Sequence, residues 1–232
     1  MIDYVRQLGG EALGTGPLAG GAAVAVWSLD TRLDVVGGLP VAEAARVLDA
    51  AELDQAGRRR QPADRHRYVA SHIGLRLLLG GRLGLAPAEV VLVREDCPGC
   101  GGPHGRPAVA GGGVHFSLSH SGDVAYVALA PVPVGVDIEE VPGARAVADV
   151  LGALHPAETA ELTALPEADR PAALARVWAR KEACLKGIGT GIGLGLVEPY
   201  VGAGPSPAPV PDWLLTDLPC PPAYAAALAV HA

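Results

Sequence analysis

A single Phe and a single Met stand in a chain whose residues are half hydrophobic, so its core has to be filled by Ala, Val and Leu. With 232 residues there is room for one large domain or two small ones, and a charged fraction of 19% excludes a disordered acidic or basic tail. The basic residues are 16 Arg and 2 Lys, which reads as coding bias more than as a choice of surface. It makes the two lysines conspicuous.

The formal net charge of -7 speaks against nucleic-acid binding through bulk positive charge. Residues 1–115 hold 12 Arg and 12 acids, whereas residues 116–232 hold 6 basic residues and 13 acids, so the whole -7 lies in the second half. An arginine cluster and an acidic cluster are available to one site. The uncharged stretch Ala12 to Leu29 is broken by Gly14, Gly16, Pro17, Gly20 and Gly21, and no stretch looks like a membrane span or secretion signal. A soluble, cytoplasmic protein with no nucleic-acid or membrane partner is expected.

Apolar patterning predicts a buried strand at Ala22 to Leu29, helices at Val41 to Ala56 and Ala63 to Leu83, and a short strand at Glu89 to Glu95. Residues 97–113, with seven Gly and three Pro, read as loop. Strands follow at His115 to His120, Val124 to Ala130 and Val134 to Glu139, then helices at Pro156 to Ala164 and at Ala172 to Lys186, the latter stopped by Gly187 and Gly189. Pro199 to Pro222, with eight prolines, reads as extended loop before a last strand at Ala223 to Val230. A weak repeat matches Glu52 with Glu158 and Gly81 with Gly187 at offset 106, and Ala63-Asp64-Arg65 with Ala168-Asp169-Arg170 at offset 105. If real, it implies two similar α+β halves with a cleft between them, divided here as 1–114 and 115–232.

Both lysines, Lys181 and Lys186, fall in the segment Trp178 to Gly187, WARKEACLKG. A lysine serves as a point charge on phosphate or, with a lowered pKa, as a proton donor, whereas arginine is effectively never deprotonated. Helical spacing puts Trp178, Glu182 and Lys186 on one face. In the strand GVDIEE, period two sends Asp137 and Glu139 to one side and Val136 and Ile138 to the other. Adjacent carboxylates repel unless protonated or neutralised, and with Glu182 they make three oxygen ligands for Mg²⁺, with Mn²⁺ as substitute. A solvated strand face and a surface Glu-Lys pair are the plain alternatives.

Phe116 to Gly122, FSLSHSG, offers Ser119, His120 and backbone N–H groups to a phosphate. It lacks the Gly-x-Ser-x-Gly elbow of a serine nucleophile. Cys97-x-x-Cys100 with His104 invites a zinc reading. A structural zinc takes four ligands, and Cys184 and Cys220 lie far along the chain, so a plain Cys-bearing loop is expected.

The Gly105-Arg106-Pro107 turn, FSLSHSG, GVDIEEV and WARKEACLKGIGTGI, in that order, together resemble the surfactin-type 4′-phosphopantetheinyl transferases of the holo-carrier-protein synthase superfamily. The segment from Ala63 to Arg76, ADRHRYVASHIGLR, is similar to that family's first-half helix. The resemblance implies an α+β fold in a pseudo-twofold arrangement of two similar half-domains. It implies transfer of the 4′-phosphopantetheine arm of coenzyme A to a serine of an apo acyl or peptidyl carrier protein, releasing 3′,5′-ADP, by a monomer. Clients would be polyketide, peptide or fatty-acid synthases.

By the same resemblance Asp137, Glu139 and Glu182 hold Mg²⁺, Glu182 helps deprotonate the serine, and Lys186 neutralises or protonates the leaving phosphate. Arg60, Arg76, Arg106, Ser119, His120, Lys181 and Lys186 are the expected coenzyme A contacts. Two rivals use the same residues: a silent binding module for coenzyme A or a carrier protein, and a metal-dependent pyrophosphate hydrolase.

Overall fold

The computed structural model describes residues 5–13 and 24–232. Strands β1 (Arg6–Leu8), β2 (Ala25–Asp30), β3 (Val35–Val36) and β4 (Leu39–Pro40) precede helices α1 (Ala50–Gly57) and α2 (Pro62–Leu83). Strands β5 (Leu92–Arg94) and β6 (Pro107–Val109) flank a glycine-rich loop, and β7 (His115–Ser121) and β8 (Val124–Ala130) form an antiparallel hairpin. Then come β9 (Val134–Glu140), helices α3 (Ala144–Val150), α4 (Pro156–Ala164) and α5 (Arg170–Ile188), and strands β10 (Trp213–Asp217) and β11 (Tyr224–His231). Contacts divide the chain into two compact units, residues 1–93 with 108–131 and residues 94–107 with 132–232.

The first unit is built on a four-stranded sheet in the order β1-β2-β8-β7, in which only the β1–β2 pair is parallel. Trp27, Leu29, Phe116, Val127 and Leu129 from this sheet join Val69, Ile73, Leu75 and Leu79 of α2 in one apolar cluster. Full burial of such side chains contributes about 1.5–3 kcal/mol each. In the second unit an antiparallel sheet ordered β10-β11-β9 packs against α5. Its cluster is made of Ala173, Ala175, Ala179 and Ala183 from α5 and Ala225, Ala227 and Ala229 from β11, with Val177 and Leu174. The alanine-rich composition is thus spent where a helix lies flat on a sheet.

Several elements differ from what patterning predicts. Val41 to Ala56 is not one helix: a 3₁₀ turn spans Val41–Arg46, and α1 starts afresh because the Asp49 carboxylate accepts from the Glu52 N–H while Glu52 accepts from the Asp49 N–H at 3.0 Å. This reciprocal cap fixes a helix start at Asp49. The proline-rich stretch holds β10, paired residue for residue with β11 from Trp213 opposite His231 to Asp217 opposite Ala227. Gly187 lies inside α5, and the helix stops at Gly189, whose φ of 93° is left-handed. Short elements β1 and α3 carried too little periodicity to be seen. The β7–β8 hairpin, expected at the head of the second half, pairs with β2 of the first unit. Of the strand expected at Ala22 to Leu29, residues 22–23 lie outside the described residues. Among the described residues no helix is long and apolar enough to cross a membrane.

Candidate functional site

Strand β9 and helix α5 meet backbone to backbone. A Cβ placed on Gly135 would sit 1.9 Å from the Ala183 carbonyl oxygen and 2.5 Å from the Gly187 nitrogen. One on Gly187 would sit 2.5 Å from the Trp213 ring. Only glycine fits at 135, where the close atoms are main chain, while a side chain at 187 would have to displace the Trp213 ring. The alternation that turns Gly135 toward α5 turns Asp137 the same way. Asp137 is buried, and its Oδ1 accepts from the Lys186 ammonium at 2.5 Å. The ammonium also lies 3.5 Å from the Val136 carbonyl oxygen.

Trp178, Glu182 and Lys186 share a half-buried face of α5, as their spacing predicts. Burial pushes the Glu182 carboxyl above the ordinary glutamate range; the Lys186 charge opposes this and the Asp137 charge adds to it. Glu182, Lys186 and Asp137 therefore act on one another electrostatically. Glu139, also on β9, is partly buried opposite Ala225. Asp137, Glu139 and Glu182 are not gathered as a set within 4.8 Å of one another. Direct ligation of one Mg²⁺ by all three, at about 2.1 Å each, demands closer oxygens than that. The donors are nonetheless all carboxylate oxygens, and one of them, Glu182, is raised by burial with a like charge adding to it. Such a set suits a hard divalent cation held by one or two carboxylates, with water in the other positions.

Two expected coenzyme A contacts are engaged in ion pairs of the fold. Lys181 is fully buried: its ammonium pairs with the equally buried Glu158 at 2.9 Å and donates to the Val197 and Pro199 carbonyls at 3.2 and 2.6 Å. Arg76, 1% exposed, spans Glu52 at 2.6 Å, Asp49 at 2.7 Å and the carbonyls of Pro87 and Val90 at 3.2 and 2.9 Å. Each cation is engaged by carboxylates and carbonyls of the fold. Arg180, between Trp178 and Lys181, is likewise buried on Asp217 and the carbonyls of Gly202 and Gly204. Sequence alone gave no signal for that role, since Asp217 lies in the stretch read as loop.

Arg106 keeps a partly exposed side chain on the second unit, paired with Glu95 at 2.7 Å and donating to the Gly187 carbonyl at 2.7 Å. It therefore sits at the end of α5, beside the residue that follows Lys186. In the first unit, Ser119 is buried on β7 and His120 is exposed.

Arg59, one of the three consecutive arginines 58–60, belongs with Tyr68 and His72 to a group near His120. The Arg59 guanidinium stands 4.4 Å over the Tyr68 ring, which stacks on His72 with centroids 3.8 Å apart. His72 Nδ1 donates to the Tyr68 carbonyl at 2.9 Å. Burial, with the charges of His120, Arg59 and Arg76 behind it, pulls the His72 imidazole down to about 4, so it is neutral at physiological pH. Arg59 Nε is buried with no hydrogen-bond partner among the described residues. Arg60, by contrast, is exposed in the turn before α2. Tyr68 at two residues past His66 and His72 at one turn further on α2 were the available clues, and neither is a recognisable motif.

Residues 133–229, which include β9 and α5, match the family model of the 4′-phosphopantetheinyl transferase superfamily. Over 183 residues the chain is 33% identical to the 4′-phosphopantetheinyl transferase HetI of Nostoc sp., covering 75% of this chain and 74% of that protein. It is 32% identical over 201 residues to a phosphopantetheinyl transferase of Thraustochytrium sp., covering 75% of this chain and 64% of the relative. It is 31% identical over 135 residues to the 4′-phosphopantetheinyl transferase psf-1 of Bacillus pumilus, covering 57% and 54% of the two chains. With β9 and α5 in contact through Gly135 and Gly187 inside the matched residues, and 33% identity to HetI over 75% of its own length, this chain belongs to the 4′-phosphopantetheinyl transferase superfamily and is a transferase.

Proposed function

We propose that the protein moves the 4′-phosphopantetheine group of coenzyme A onto a serine of an apo acyl or peptidyl carrier protein, in a Mg²⁺-dependent reaction that releases 3′,5′-ADP. The observation that carries the reading is the cluster on β9 and α5, in which Lys186 meets Asp137 at 2.5 Å beside a Glu182 carboxyl raised by burial. Phosphoryl transfer rests on positioning and charge neutralisation, and this cluster offers an anion, a cation and a base within one turn of helix and one strand.

Glu182 takes the hydroxyl proton of the incoming serine, directly or through water; its raised carboxyl is a stronger base than an exposed glutamate. The serine oxygen then bonds to the phosphorus that carries the pantetheine arm as the bond to the ADP phosphate breaks. Lys186 meets the charge that appears on that leaving phosphate and can supply its proton. Of Asp137, Glu139 and Glu182, one or two would hold Mg²⁺ directly and the rest through water, and the ion would neutralise the pyrophosphate when bound. Ser119, His120 and Arg106 contribute contacts to the nucleotide, and the buried, unpartnered Nε of Arg59 makes it a better phosphate donor than Arg60.

The two units are read as the two half-domains of the family's pseudo-twofold fold. Each contains an antiparallel hairpin, a long helix and a capping-box glutamate bound to a buried cation of that helix. Monomeric action in the cytoplasm belongs to the same reading.

Mass spectrometry of an apo carrier protein incubated with the enzyme, coenzyme A and Mg²⁺ tests it. The expected result is one phosphopantetheine added per carrier and one 3′,5′-ADP released. Coenzyme A consumed with the carrier unmodified would make the protein a hydrolase, and coenzyme A bound but unchanged would make it a binding module.

A further inference from the structure

The loop between β5 and β6 carries a second cluster, separate from the acidic one. Cys97 Sγ, Cys100 Sγ and a ring nitrogen of His104 all lie within 4.8 Å of one another, the one such group of three among the described residues. The loop is wound to make this happen. Cys97 N–H donates to the Gly102 carbonyl at 2.7 Å, Gly101 N–H to the Cys97 carbonyl at 2.7 Å, and His104 N–H to the Gly102 carbonyl at 2.8 Å. The turn folds both cysteines to one side and swings the imidazole over them, with Cys100 Sγ 3.0 Å from His104 Nε2. Backbone N–H groups also serve the sulfurs: Gly102 donates to Cys100 Sγ at 3.4 Å, and Gly99 and Cys100 face the Cys97 sulfur.

All four cysteines of the chain are free thiols, and the two in this loop are not joined to each other. In a tetrahedral zinc centre, with Zn–S about 2.3 Å and Zn–N about 2.0 Å, sulfurs stand about 3.8 Å apart and sulfur and nitrogen about 3.5 Å. The spread seen here needs only small shifts to reach those separations. Two thiolates and a neutral imidazole also cancel the charge of a divalent ion. The expectation of a plain loop rested on the lack of a fourth cysteine nearby. A fourth protein ligand is not required where Cys100 and His104 are exposed, because water can take that position.

We propose that Cys97, Cys100 and His104 bind one Zn²⁺, with the fourth position open to solvent, and that the ion pins the loop on which Arg106 is mounted. The mounting is explicit: Gly105 N–H donates to the Glu95 carbonyl at 2.9 Å and Glu95 N–H to the Arg106 carbonyl at 3.1 Å, so the loop ends exactly where Arg106 begins its reach to the Gly187 carbonyl. The site is chemically distinct from the Mg²⁺ assignment, because thiolate and imidazole select zinc over magnesium. It stands whether or not the transferase reading holds.

The test uses full-length protein stripped of metal by a chelator and titrated with Zn²⁺ against a chromogenic competitor in millimolar Mg²⁺. One equivalent is expected to bind, and Co²⁺ in its place is expected to give a thiolate-to-metal charge-transfer band. C97S and C100S should each weaken Zn²⁺ binding about a hundredfold or more and abolish the band, H104A should weaken binding about tenfold, and D137N should leave the equivalent intact. Absence of the Co²⁺ band in the wild-type protein, or an undiminished equivalent in the C97S/C100S double variant, overturns the proposal. The wild-type spectrum decides the matter even if a variant fails to fold.

Discussion

Lys181 and Glu158 form an ion pair at 2.9 Å with neither side chain exposed, and Arg76 and Glu52 form its counterpart at 2.6 Å in the other unit. Both glutamates are the third residue of a helix whose cap they complete. Both cations sit on a long helix and finish on two carbonyls of the loop that follows it. Removing one partner leaves a buried charge uncompensated, so Lys181→Ala is expected to lower stability by about 3–5 kcal/mol in urea unfolding. The double variant Lys181→Met/Glu158→Gln should lose less than Lys181→Ala alone. A Lys181→Ala protein of near-normal stability but weakened coenzyme A binding would return this lysine to the ligand.

Gly135→Ala forces a methyl group into the Ala183 carbonyl, and backbone cannot step aside as a side chain does. A loss of about 3 kcal/mol or more is expected, read as a lowered urea midpoint. Ala229→Gly, across the strand pair from Gly135, should cost about 1 kcal/mol by comparison.

His72 gives a pH dependence of defined sign. Its unfolded imidazole titrates near 6.5 and its folded one at about 4, so between these values the unfolded chain takes up a proton that the folded one refuses. Its contribution to stability is present above pH 6.5 and is lost as pH falls toward 4. Urea midpoints measured across this window should fall more steeply for wild type than for His72→Gln, which keeps an N–H for the Tyr68 carbonyl. Parallel curves would show that the ring is not held neutral.

For the reaction, Asp137→Ala and Lys186→Arg are each expected to reduce turnover by about 10²–10⁴ with the fold retained by circular dichroism. Lys186→Arg preserves charge but not the compact ammonium or its capacity to give up a proton. Transfer to an apo carrier, followed by intact mass, supplies the rate. Near-normal turnover of Lys186→Arg would reduce the lysine to a partner of Asp137.

Arg59→Ala is expected to raise KM for coenzyme A about tenfold to a hundredfold, the loss of one charge-assisted hydrogen bond, whereas Arg60→Ala should change it less than about twofold. Steady-state kinetics with a fixed carrier separates the two. The reverse order would favour the exposed arginine.

Much of this arrangement was legible in the chain. The spacing of Asp137 and Glu139, the helical face of Glu182 and Lys186, and the ends of α2, α4 and β8 followed from period and punctuation, because those elements are long and regular. The match of Glu52 with Glu158 is weak in an Ala-rich sequence, yet it marks the same capped helix start and the same kind of buried ion pair in both units. What sequence could not supply was the destination of a cation. Arg76, Lys181 and Lys186 are alike on paper, and only tertiary packing sends two of them into the fold and one to Asp137. Likewise, nothing in the spacing of Cys97, Cys100 and His104 tells that the turn bends the imidazole back over the sulfurs.

The contact of Gly135 with Ala183 and Gly187 has a mechanical corollary. Where side chains separate two elements, their spacing drifts as those side chains repack, but here two hydrogen-bonded main chains abut. The gap between the Asp137 carboxylate and the Lys186 ammonium inherits their stiffness, so substitutions elsewhere in the interior can soften the molecule without loosening that pair.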